Sequence, residues 1–169
     1  MLGSSAQISI RSATAADASA LAQVFRSSWL NAYAGIIPVL HLETMVARRG
    51  LDWWRSSVRA GEQILVMETG GEVHGYATAG VARSRGRYQG EIYELYIEPS
   101  HQGLGFGEAL FEASRQRLDA RSLDGLIVWA LSDNSRATDF YWRRGGRPVA
   151  RAFDRIGERK LEKIAFAWD

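Results

Sequence analysis

The chain has no cysteine at all. That excludes a disulfide framework, a thiolate zinc site and a cysteine nucleophile or acyl-cysteine intermediate, so any acyl transfer must take another route. Histidine is scarce too. His41, His74 and His101 are the only three, and they show no metal-ligand spacing. No metal is expected, and His74, at the start of a strand, reads as a surface or edge residue. There is no G-x-S-x-G element to suggest serine hydrolysis. No apolar run approaches the length of a bilayer crossing. MLGSSAQ at the N-terminus has neither a basic start nor a hydrophobic region, which leads us to expect a cytoplasmic protein with no membrane partner. Charge of one sign is also lacking: 21 basic residues stand against 19 acidic ones, a net of +2. The best basic cluster, Arg83, Arg85 and Arg87, sits in an expected loop and not on a helix face. It reads as solvated, or as able to meet phosphates, and nucleic acid is not an expected partner.

What is present suits one globular unit. The chain has 169 residues, 46% hydrophobic and 24% charged, enough to bury a core in a single domain. Residues 1–7 are expected to be a flexible N-terminus and 8–169 the domain. Ile8 to Arg11 alternates as a short strand, and Thr14 with Asp17 forms a capping pair ahead of Ala18, Leu21, Val24 and Phe25. That helix should end near Trp29 or Tyr33, before Gly35 and Pro38. A less regular helical tract follows from Val39 to Val58, with Leu40, Met45, Val46, Trp53 and Trp54 as core candidates. Gln63 to Glu68 and Val73 to Ala82 read as a hairpin about Gly70-Gly71. Leu126 to Leu131 is a continuous apolar run of the parallel-strand kind. A helix follows from Ser135 to about Arg144, capped from the Ser132, Asp133, Asn134 cluster, and two strands close the chain.

The stretch from Gly90 to Leu118 organises the rest. Ile92 to Glu98 is a strand punctuated by Pro99, and helix formers with apolar residues at Leu110, Ala113, Ser114 and Leu118 begin near Glu108. Between them lie Gly103, Gly105 and Gly107. Alternate glycines between a strand and a helix let the backbone approach a ligand, and the helix N-terminus favours an anion, so this is a pyrophosphate cradle. The dinucleotide fingerprint fails because Glu108 stands where a third glycine is needed, and the P-loop fails for want of its Lys-Ser/Thr pair.

Gln102, Gly105 and Gly107 fill the pattern Q/R-x-x-G-x-G/A after ELYIEP, which resembles the acetyl-coenzyme A loop of the GNAT superfamily of N-acetyltransferases. Asn134, Ala137, Tyr141 and Gly145 match the N-x-x-A-x-x-x-Y-x-x-x-G that follows the fifth strand in that superfamily, and WLNAYAGIIP resembles a segment of some members. One departure is visible. An aromatic residue usually follows the last glycine, and here it is Gly146, leaving Phe153 or Trp142 to fill that space. The resemblance covers nearly the whole chain. It implies an α/β (α+β) fold with a single mixed, mostly antiparallel sheet of about seven strands, flanked by helices, whose central parallel strands splay apart.

The resemblance further implies an acetyl-CoA-dependent N-acetyltransferase working by direct attack of a primary amine, the acceptor being a small amine. Gln102, Gly103, Leu104, Gly105, Phe106 and Gly107 would hold the pyrophosphate. Leu95, Tyr96 and Ile97 would bind the pantetheine arm through their backbone, with a backbone N–H near Leu95 or Tyr96 polarising the carbonyl. Asn134 and Tyr141 would complete the cofactor site, and Tyr141 would protonate the leaving thiolate. Glu91 falls where the histone-acetylating branch carries its base, with Glu94 the next candidate and a water chain the other route. Trp29 and Tyr33 would line the acceptor pocket. Protein N-terminal or lysine acetylation, or a non-catalytic acyl-CoA-binding module, are the alternative functions. A homodimer is compatible with the family.

Overall fold

A computed structural model describes residues 7–169. The expectation of a flexible segment over residues 1–7 therefore lies, apart from Gln7, outside the described residues. Strand β1, Ile8–Ser12, leads into the capping pair. The Thr14 N–H donates to Asp17 Oδ2 at 2.7 Å and the Asp17 N–H to the Thr14 carbonyl at 2.9 Å. This starts a 3-10 turn, Ala15–Asp17, that runs on into helix α1, Ala18–Tyr33. Arg11 clamps the junction, reaching Asp17 at 2.7 Å and Glu68 at 2.8 Å. On the buried face of α1, Leu21, Val24 and Phe25 are fully enclosed, each contributing ~1.5–3 kcal/mol of burial.

The tract expected from Val39 to Val58 is two helices, α2 (Val39–Arg48) and α3 (Leu51–Arg59). The break falls at Arg49 and Gly50, where Gly50 is extended and caps α3. The two short helices bury different faces from those one continuous helix would bury. Val46, Trp54 and Leu42 are in the core, whereas Leu40 is 76% exposed and Trp53 37% exposed. Both expectations for Leu40 and Trp53 are thereby corrected.

Strands β2 (Ile64–Thr69) and β3 (Glu72–Val81) form the hairpin about Gly70-Gly71, both glycines at positive φ. Next come β4 (Gly90–Ile97), a 3-10 turn (Pro99–His101), helix α4 (Phe106–Ala120), β5 (Leu126–Leu131), helix α5 (Ser135–Arg143), β6 (Arg147–Ile156) and β7 (Arg159–Trp168). They build one seven-stranded sheet in the order β1-β2-β3-β4-β5-β7-β6. Only β4 and β5 are parallel, joined through α4, and they pair only at Gly90 with Leu126 and Glu91 with Ile127. Past that point they part. Helices α1 to α3 cover one face over Trp54 and Tyr76, and α4 and α5 cover the other over Phe111 and Trp168.

The register of β4 against β3 shifts at Tyr93, between the pairs Ile92 with Ala79 and Glu94 with Thr78. This bulge decides which side chains share a face. Ile92 and Leu95 both pack in the cluster around Phe111, although strict alternation would put them on opposite faces, and Tyr96 joins the cluster under α1. Gly146 also has a clear packing role. A Cβ there would lie 2.6 Å from Trp168 Cζ2, so the last strand's tryptophan fills the space at the end of α5. Phe153 and Trp142, the residues expected to fill it, are 53% and 63% exposed.

Candidate functional site

The parting of β4 and β5 opens a cleft of about 810 Å³. One wall is β4, from Leu95 to Ile97. The floor is the turn and loop from His101 through Gly107, and the far wall is α5 with the residues before it, including Asn134 and Tyr141. Ser28, Asn31, Ala32 and Ile36, from α1 and the segment after it, close the remaining side.

The β4 backbone alternates. The Glu98 N–H bonds the His74 carbonyl on β3, whereas the Ile97 carbonyl accepts from Gln102 Nε2 at 3.0 Å and from Ser28 Oγ at 3.5 Å on the opposite side. By the two-residue period of a strand, Leu95 and Ile97 present their backbone groups to the opening and Tyr96 turns its own to β3. Tyr96 lines the cleft as well, its ring packed against Trp29 and Tyr76. Its hydroxyl lies 2.6 Å from that of Tyr33.

The glycine loop has open geometry. Gly103 and Gly105 sit at φ 77° and 83°, with nothing near the position of a Cβ, and Gly105 caps α4 in the left-handed conformation. Helix α4 starts at Phe106, inside the run of glycines, where a start within or just after them was expected. Its first N–H groups have no partner within the helix, and the positive end of the helix dipole meets the cleft floor. Gly107 serves a different purpose, since a Cβ there would press within 3.2 Å of Phe140 on α5. Thus two glycines free the backbone and the third lets two helices meet. The residues fit a bound pyrophosphate on this ground.

Asn134 caps α5, its Oδ1 accepting from the Ala137 N–H at 3.3 Å. Tyr141, about two turns along, is 6% exposed on the cleft wall. Its hydroxyl makes no hydrogen bond among the described residues. Burial, with a smaller contribution from Tyr33, holds its pKa well above the ordinary tyrosine value. At neutral pH it is a protonated phenol. Burial likewise raises Tyr33 and, more strongly, Tyr96, so the hydroxyl pair is neutral.

The two candidate carboxylates have different surroundings. Glu91 is 1% exposed at the paired end of β4. Its oxygens accept from Arg83 Nη2 at 2.7 Å and from the Arg83 N–H at 2.9 Å. Glu94 lies past the bulge on the side of Tyr96, held by Arg49 at 2.8 and 3.1 Å and by the Tyr76 hydroxyl at 2.7 Å. The Arg49 guanidinium itself stacks over Phe25 at 4.3 Å and Trp53 at 4.1 Å. Trp29 and Tyr33 stand behind the cleft wall, Trp29 packing 6.2 Å from the Tyr96 ring.

Sequence reasoning missed several lining residues. Ser28 carries no motif, Ile36 sits within WLNAYAGIIP without polar chemistry to mark it, and Arg136, Arg143 and Arg144 lie on α5 and at its end, outside the motif positions. In the fold, Arg136 reaches across from α5 to the Gln102 side-chain oxygen, spanning the cleft mouth. Their cationic character near the glycine loop was the available signal.

The comparisons with known proteins agree with this geometry. The chain is 27% identical to the Bacillus subtilis N-acetyltransferase YuaI over 95% of this chain and 92% of that one. It is 33% identical to the Escherichia coli L-amino acid N-acyltransferase MnaT over 61% of this chain and 58% of that one. Among solved structures, the PaiA N-acetyltransferase of Thermoplasma acidophilum, in complex with coenzyme A, superposes with a TM-score of 0.74 at 18% identity. It covers 93% of this chain and 98% of its own. YncA of Salmonella typhimurium, with acetyl-CoA, gives 0.69 at 22% identity over 96% and 93%. These two likenesses concern the fold. A family model matches from within α1 through α5 to Gly146, residues 23–146, and on that match the chain belongs to the Acetyltransferase (GNAT) family.

Proposed function

We propose that the protein transfers an acetyl group from acetyl-CoA to the nitrogen of a small primary amine, by direct attack while both substrates are bound. The observation that carries this reading is the unpaired edge of β4, which opens beside the glycine loop into a cleft that Tyr141 also lines. The thioester supplies an activated acyl carbon and a thiolate leaving group. The backbone N–H groups from Gly103 to Gly107, with Gln102 and Arg136 at the mouth, hold the pyrophosphate, and Leu95 and Ile97 take the pantetheine arm by strand addition. A Leu95 N–H directed into the opening polarises the acyl carbonyl.

Tyr141 donates its proton toward the leaving sulfur. Its raised pKa keeps that proton in place at neutral pH, which is the state an acid must start from. Of the two glutamates, Glu94 is the base in this reading, because it lies on the face of β4 that carries Tyr96, whereas Glu91 is enclosed with Arg83. Arg49 and Tyr76 occupy the Glu94 oxygens, so the ammonium proton reaches it through water and not by contact. Trp29 and Tyr33 shape the acceptor side from behind Tyr96.

A small amine as acceptor is supported by the relatives, which include proteins named for L-amino acids and for L-methionine sulfoximine and sulfone. The test is initial-rate kinetics with acetyl-CoA and a panel of polyamines, amino acids, aminoglycosides and peptide N-termini. Intersecting double-reciprocal lines with at least one small amine are expected. Parallel lines, or turnover with peptides alone, would overturn the reading.

A further inference from the structure

The three histidines carry no ligand spacing in the sequence, yet the fold brings two of them together with a carboxylate. His74, on β3, is paired through the sheet with the end of β4, and Glu98 follows that strand directly, so the two side chains meet at 2.9 Å between His74 Nδ1 and Glu98 Oε2. The 3-10 turn then folds His101 back over them. Its ring stacks on His74 with centroids 3.6 Å apart, and its Nδ1 lies 3.9 Å from the same Glu98 oxygen. One donor atom from each residue falls within 4.8 Å of the other two. All three side chains are half-buried or less exposed than that, at 14%, 16% and 27% for His74, Glu98 and His101.

We propose that His74, Glu98 and His101 form a binding site for a divalent transition-metal ion of the zinc type. Two imidazoles and one carboxylate suit zinc, cobalt(II) or nickel(II) rather than magnesium or calcium, which favour oxygen ligands. An outer carboxylate is also close by. Glu72 Oε2 stands 3.6 Å from His74 Nε2, on the side of the ring away from Glu98. At that distance Glu72 is an ion-pair neighbour and not a hydrogen-bond partner, and a small side-chain movement would let it take the Nε2 proton, leaving Nδ1, which now meets Glu98, to ligate. Ser100 Oγ, 2.8 Å from His101 Nδ1, lies beside the same point. A ligated ion lies near the plane of each ring, so His101 must roll off the stack on binding. Its short turn and greater exposure permit this. The turn continues into Gln102 and the glycine loop, and an ion here would pin the start of that loop to the β3–β4 edge.

The proposal does not rest on the acetyltransferase reading, because binding is measured without substrate. The probe is zinc chloride, titrated calorimetrically into the full chain, with cobalt(II) absorption as a second readout. One ion per chain is expected, together with the visible bands of a four- or five-coordinate cobalt site. His101→Ala and His74→Ala should each weaken zinc by about tenfold or more, and His41→Ala should change nothing. His101 is the more exposed of the two and sits on a short turn outside the sheet, so its variant keeps the test valid if His74→Ala melts early. No zinc binding by the wild type, or binding that His41→Ala abolishes and His101→Ala leaves intact, would overturn the proposal.

Discussion

Replacing Tyr141 by phenylalanine separates chemistry from binding. The ring packs between Phe111, Phe166 and Trp168, with centroids 6.0 to 6.2 Å away. Phenylalanine keeps all of that packing. The hydroxyl has no partner among the described residues, so its removal leaves none of their donors or acceptors stranded, and the usual loss of ~1–3 kcal/mol for an orphaned buried group does not arise. Stability should therefore move by less than ~0.5 kcal/mol, and acetyl-CoA affinity, read calorimetrically, by no more than about threefold, roughly 0.7 kcal/mol. A lost general acid lowers kcat by ~10²–10⁴, equivalent to ~2.7–5.5 kcal/mol of barrier. The pH dependence gives a second check. Because burial raises the Tyr141 pKa above the usual value near 10, its proton is retained through the alkaline range and lost only as pH rises through that raised value. Wild-type kcat should thus show no basic limb from this group between about pH 7 and 10. A variant with kcat within threefold of wild type, or one that no longer binds acetyl-CoA, would refute the acid role.

Gly105→Ala puts a Cβ into open space at φ 83°, so its effect is conformational alone. A left-handed alanine costs ~1–2 kcal/mol, and acetyl-CoA affinity should fall by about 5- to 30-fold in calorimetry. Gly146→Ala forces a methyl to 2.6 Å from Trp168 and 2.9 Å from the Tyr141 carbonyl. It should lower stability by ~1–3 kcal/mol with a changed tryptophan emission spectrum. Asp17 is held below the usual carboxylate range, chiefly by its hydrogen bond to Arg11 and against the opposing effect of burial. A depressed carboxylate stabilises the fold above its unfolded pKa near 3.9, and that contribution disappears as pH falls through the lower folded value. Asp17→Asn should therefore destabilise by ~1 kcal/mol at pH 7 and by less at pH 3, as measured by urea unfolding.

The local signals in the sequence were reliable. The capping pair at Thr14 and Asp17, the glycine turn at Gly70-Gly71 and the apolar run of β5 depend only on neighbouring residues, and each element forms where those residues require. The break at Arg49-Gly50 was hidden because no proline marks it. Its stabilising partner, Glu94, lies 45 residues away. The same distance effect governs the site. The open glycine turn between strand and helix was legible, but the two-residue pairing of β4 with β5 that opens the cleft is a property of the assembled sheet. The partners of Glu91 and Glu94 follow from the Tyr93 bulge and from helix placement, neither written in strand parity. His74 and His101, 27 residues apart in number, meet only because β3 and β4 pair in one register and the 3-10 turn folds back. Trp168 fills the space at Gly146 for the same reason, reaching it from the far end of the chain.

The most direct measurement is to incubate the full chain with acetyl-CoA carrying carbon-13 in its acetyl group, together with the amine panel, and to follow the label by mass spectrometry. The proposed reaction predicts labelled acetyl on the nitrogen of a small amine, matched mole for mole by free coenzyme A, with Tyr141→Phe binding acetyl-CoA but forming little product. Tight acetyl-CoA binding with no labelled amine from any acceptor, or label recovered only as free acetate, would contradict it.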